Sequence, residues 1–110
     1  MTGETEAARL VAETLAANGV ARVFTVAGAG SGAAVEALRA QAIEVVSAAL
    51  ETSAVVMAVA TARLAGRLGV ALVSGDCGAA LAVAGLRLAA HEATPLILLV
   101  DGIDGGVTGP

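Results

Sequence analysis

Four short runs of aliphatic and β-branched residues recur along this chain, each parted from the next by a stretch of helical periodicity. The runs are 22–26 (Arg-Val-Phe-Thr-Val), 43–47 (Ile-Glu-Val-Val-Ser), 69–74 (Gly-Val-Ala-Leu-Val-Ser) and 96–100. Strands that alternate with helices of about 10–15 residues do not pair as hairpins. They pair in parallel through right-handed crossovers. The expected fold is therefore α/β: a three-layer domain with a mostly parallel sheet and helices on both faces.

The helices are expected at 4–17, 33–41, 51–65 and 79–91. In the first, Ala8, Val11 and Leu15 recur at helical spacing. Asn18-Gly19 and Gly66 are helix stops, because glycine takes the left-handed conformation without penalty. One domain is expected over 1–102. Residues 103–110, rich in Gly, read as a flexible tail.

Hydrophobic residues make up 57% of the 110, which raises the question of a membrane span. A span needs about 18 consecutive apolar residues. Glu44, Glu51, Arg63, Arg67, Asp76 and Arg87 interrupt the candidate runs, so no membrane segment is expected. Parallel strands covered on both faces are apolar throughout, and that accounts for the hydropathy. The net charge is −4, and no basic patch with interleaved aromatics gives a nucleic acid a footing. A single cysteine, Cys77, excludes an internal disulfide and fits a reducing compartment. The acid-bearing start Thr2-Gly3-Glu4-Thr5 does not resemble a signal peptide, and a cytoplasmic setting is expected.

Open parallel sheets bind ligands beyond the carboxyl ends of their strands. Three segments should lie there. The first is the turn Gly28-Ala29-Gly30-Ser31-Gly32, which follows a strand and opens a helix. Such a turn admits a ligand close to the backbone and favours an anion, or it is simply a tight turn. If it bound a nucleotide, Glu44 or Glu51 would be the ribose contact, Glu51 being nearer the expected ~20 residues. The second is Glu51, set between Val45–Leu50 and Ala54–Met57. A carboxylate in apolar surroundings is costly without a partner. It reads either as an acid favoured by a helix N-terminus or as an acid held to hydrogen-bond a heterocyclic nitrogen. The third is Ser74-Gly75-Asp76-Cys77-Gly78, a turn whose Asp76 caps the next helix or whose backbone faces a ligand. Cys77 lacks a base: His91 lies roughly 20 Å along the same expected helix at 1.5 Å per residue. No metal-ligand set is apparent.

Taken together, the segments resemble the pyrimidine-binding domain that opens acetolactate synthase and related thiamine-diphosphate enzymes. Ala17–Gly28 is similar to the family's "AGVxxVFGVPG". Leu50–Ala58 is similar to "HEQAAxxMA", Ala62–Val70 to "ARxTGxxGV", and Gly85–Leu96 to "GLxxAYxDSxPL". The spacing from Glu51 to Pro95 fits without a gap. The chain departs from the pattern at Leu50, where the family has His, and at Ala27, where it has Pro. Asp76-Cys77-Gly78 stands in place of Gly-Pro-Gly, Leu81 in place of Asn, and Thr61 in place of Tyr.

The resemblance implies a Rossmann-like sheet of the thiamine-diphosphate-binding type. It implies that Glu51 hydrogen-bonds the pyrimidine N1′ of thiamine diphosphate and promotes its imino tautomer. Ala27, Gly28, Gly75, Asp76, Cys77 and Gly78 would line the cofactor pocket. The family's diphosphate-binding domain and its Mg²⁺ site have no counterpart here, so a larger partner subunit would hold both, and some relatives do split these domains between subunits. The expected function is a small subunit or fragment of a 2-keto acid decarboxylase or carboligase, active only with that partner. The alternatives are a non-catalytic scaffold or dimerisation domain and a stand-alone nucleotide-binding domain. An incomplete sheet would also expose an apolar edge, which favours self-association or a partner.

Overall fold

The computed structural model describes residues 3–26, 32–75 and 77–101. They form four strands, β1 (Arg22–Val26), β2 (Glu44–Ala48), β3 (Gly69–Ser74) and β4 (Leu96–Asp101). Five helices accompany them: α1 (Gly3–Ala17), α2 (Gly32–Ala40), α3 (Glu51–Ala65), α4 (Cys77–Leu81) and α5 (Val83–His91). All pairings are parallel, in the order β2-β1-β3-β4.

Side-chain alternation divides the core into two halves. Val23, Val70 and Leu72 face one way and pack with Ala12 and Leu15 of α1 and Leu38 of α2. Phe24, Ala71 and Val73 face the other way and pack with Ala54, Val55 and Ala58 of α3 and with Ala82. Five of the six β3 residues are buried, which is why that run carries no charge. The chain steps outward from β1 to β2 through α2, then reverses to β3 through α3. A right-handed crossover that reverses direction must change faces, so α3 lies opposite α2.

A core hydroxyl is satisfied locally. Thr25 is 3% exposed, and its Oγ1 donates to the Leu72 carbonyl at 2.9 Å, between β1 and β3.

Helices α1 and α2 and strand β4 shift by one residue at one or both ends, and two further elements differ from the sequence expectation. Strand β2 starts one residue later, because the Ile43 N–H bonds the Leu38 carbonyl and its side chain fills the core under α2. The helix expected over 79–91 starts earlier and breaks in two. Cys77 and Gly78, expected in a tight turn, lie in the first turn of α4. The break falls at Ala82, which is fully buried. There the Leu81 carbonyl accepts a hydrogen bond from Thr52 Oγ1 at 2.9 Å. The expected stops at Gly19 (φ 80) and Gly66 (φ 65) are left-handed, and residues 103–110 lie outside the described residues.

Helix α3 is clamped on two sides by glycines. A Cβ at Gly85 of α5 would come 2.7 Å from Val55 Cβ and nearer still to its Cγ1. A Cβ at Gly69 would overlap the Ala58 carbonyl oxygen and stand 3.1 Å from Ala62 Cβ. Overpacking of this kind costs about 1–3 kcal/mol. Gly85→Ala should lower unfolding stability by that order in urea titration. Gly69→Ala should cost at least as much, since backbone rather than a side chain must yield.

Candidate functional site

Strands β1, β2 and β3 end at Val26, Ala48 and Ser74 along one edge of the sheet. Val26 pairs with Ala48, and Ser74 with Asp101. Strand order reverses between β1 and β3, and the helices that follow those two strands, α2 after β1 and α4 and α5 after β3, lie on opposite faces. A crevice at such a switch point is where open parallel sheets bind ligands.

Glu51 is delivered to this edge by α3, whose first residue it is. Leu50 is the N-cap, with extended backbone (φ −134, ψ 152) and no side-chain cap. The first helical bond runs from the Ala54 N–H to the Leu50 carbonyl. Glu51 is half-buried in the first turn, where free N–H groups and the helix dipole favour a carboxylate. The adjacent Thr52 ties α3 to the end of α4 through its bond to Leu81.

A second chain segment meets Glu51 from across the sheet. A Cβ placed at Gly78, in the first turn of α4, would lie 2.6 Å from Ser74 Oγ and 3.5 Å from Glu51 Cγ. Glu51, Ser74 and Gly78 therefore converge, and the missing side chain at 78 keeps room for the Ser74 hydroxyl, with the Glu51 arm at contact distance beyond it. The group gathers a carboxyl, a hydroxyl and the first turn of α4.

Of the other expected site residues, Gly75 is half-buried in the bend after β3. Cys77 is an exposed free thiol. Ala27, Gly28 and Asp76 lie outside the described residues, as does the glycine-rich turn apart from Gly32, the first residue of α2. Among the described residues, no three of His, Cys, Asp and Glu gather as a metal set. No described helix is long and apolar enough to cross a membrane. Thr52 was not expected at the site. Its one sequence signal is its place beside Glu51 at a helix start. A groove of about 510 Å³ lies at the opposite edge of the sheet, lined by Asn18, Arg22, Thr61 and Arg67 among others, and so is remote from Glu51.

The architecture defines an α/β domain with a four-stranded parallel sheet. The family description "thiamine pyrophosphate enzyme, N-terminal TPP binding domain" matches residues 5–106, and the chain belongs to that family. It is similar to the acetolactate synthase of Bacillus subtilis (strain 168), at 36% identity over 96 residues. That stretch is 87% of this chain and 17% of the relative. It is also similar to the catabolic acetolactate synthase of Raoultella terrigena, at 33% identity over 92 residues, 84% of this chain and 16% of that one. The chain thus spans about a sixth of the length of these relatives.

Thr52→Val should remove the tie between α3 and α4. A hydrogen bond of this kind contributes about 0.5–1.5 kcal/mol net. Urea titration should show a loss in that range, and hydrogen exchange should quicken in α4 before it does in β3.

Proposed function

We propose that this chain supplies the aminopyrimidine side of a thiamine diphosphate site in a 2-keto acid decarboxylase or carboligase of the acetolactate synthase type. The observation that carries this reading is the meeting of Glu51, Ser74 and Gly78 at the switch point, in a chain of this family. When bound, thiamine diphosphate supplies an electron sink for breaking the bond beside a keto-acid carbonyl.

The residues of the chain fit the pyrimidine end. Glu51 holds or accepts a proton at a ring nitrogen, and its place at the start of α3 fixes the direction of the carboxyl. Gly78 leaves space for the Ser74 hydroxyl beside Glu51, and Gly75 and Cys77, with Ala27, Gly28 and Asp76 as the family resemblance implies, would complete the wall. A partner chain or domain carrying the diphosphate site would hold Mg²⁺ and cover this edge. Apolar surface there supports such a cover: Leu50 is 60% exposed and Val100 48%. The substrate would be a small 2-keto acid, and the exposed single thiol suits the reducing cytoplasm. A second reading is a module that keeps the fold without the chemistry. It is favoured by Leu50, which puts an apolar side chain where the family carries His.

The test is Glu51→Gln in a complex reconstituted with a diphosphate-binding partner. Proton transfer by a positioned side chain contributes about 10²–10⁴-fold. Turnover should fall by at least the lower figure while the complex still assembles. Unchanged turnover would remove Glu51 from the mechanism, and assembly without turnover in the unsubstituted chain would favour the non-catalytic module.

A further inference from the structure

The groove at the edge of the sheet opposite Glu51 combines cationic and apolar walls. Its volume of about 510 Å³ falls within the range of small-molecule sites, about 300–1,000 Å³. Asn18, Val20, Arg22, Thr61, Arg67 and Leu68 line it. Val20 is buried and Leu68 half-buried, and they supply the apolar part. Arg9, Arg22 and Arg63 are each ion-paired with glutamates, whereas Arg67 has no ion pair among the described residues. Arg22 donates to Glu44 through Nε, which leaves its two terminal nitrogens for another acceptor.

We propose that this groove binds a small organic carboxylate, with Arg67 as its charge partner, Arg22 beside it, and the apolar body of the ligand against Val20 and Leu68. A guanidinium presents its N–H groups in a fork that matches a carboxylate. Charge sets the class of ligand. Arg22, Arg67 and Glu44 together leave one positive charge over, which a single carboxylate neutralises and a phosphate dianion overshoots. The chain as a whole carries −4, so it does not gather anions in general. Helices α1 and α3 both end beside the groove, and bare helix C-termini would repel an anion. These ends are largely capped. The carbonyls of Thr14, Leu15 and Ala16 accept hydrogen bonds from residues 18–20, and the Ala62 carbonyl accepts from the N–H groups of Gly66 and Arg67. The last of these bonds also fixes the backbone from which the Arg67 side chain projects.

The test is an amide NMR titration of the ¹⁵N-labelled 110-residue chain with benzoate. Saturable shifts should appear in residues 18–22 and 65–68. Acetate should bind at least about 10-fold more weakly, because it leaves Val20 and Leu68 uncovered. Phenyl phosphate, with the same ring and more charge, should also bind more weakly. Arg67→Gln should weaken benzoate at least about 10-fold, through loss of a charge-assisted pair. Arg67 is exposed, so the urea midpoint of that variant should stay unchanged. Thr61→Tyr should abolish binding by filling the groove, and Arg39→Gln, an exposed arginine on α2, should change nothing. The absence of saturable shifts with benzoate overturns the proposal. So does binding that survives both Arg67→Gln and Thr61→Tyr, binding that falls equally in Arg39→Gln, or a preference for phenyl phosphate.

Discussion

Helix α3 lies as close to β3 and to α5 as it does because Gly69 and Gly85 present no Cβ to it. Much else follows from that close fit. Val55, Ala54 and Ala58 are fully buried beneath it and form the centre of one half of the core. Burying a valine contributes about 1.5–3 kcal/mol as an upper estimate, so the clamp also gathers a large part of the stability. It fixes where α3 begins as well. Glu51 stands at the switch point because the helix cannot slide along the sheet without driving Val55 or Ala58 into a neighbour.

The sequence and the structure agree most closely where burial is complete. Strands β1 and β3 and helix α3 have the bounds expected from their residues, since a glycine or a charge marks an end of each. Agreement weakens where tertiary contacts compete with local pattern. Ile43 has the composition of a strand residue but serves the core under α2. The run 79–91 has unbroken helical character in sequence, and at the break between α4 and α5 the Leu81 carbonyl accepts from the hydroxyl of Thr52, far off in sequence. At the site, Glu51 is legible as a charge among apolar neighbours. Its neighbours Ser74 and Gly78 are legible as a turn, but their approach to Glu51 is a product of the crossover and not of spacing.

The domain is thus a three-layer frame that brings the ends of several segments to one edge. The family is described as thiamine pyrophosphate binding, and on the proposed reading this edge would face the ring of the cofactor. On this reading Glu51 acts from a rigid element, while the remaining ligands belong to another domain. Among the described residues, the departures from the family pattern include Leu50 and Cys77, at the starts of α3 and α4, and Thr61 near the opposite edge, and they leave Glu51 itself in place.

The most direct test of the central claim is an amide NMR titration. Thiamine diphosphate with Mg²⁺ is added to the ¹⁵N-labelled chain in complex with a diphosphate-binding partner. Shifts concentrated in residues 49–53 and 74–78 are the predicted result, and place the cofactor ring at the switch-point edge. Shifts confined to the opposite edge, around residues 18–22 and 65–68, would contradict the account.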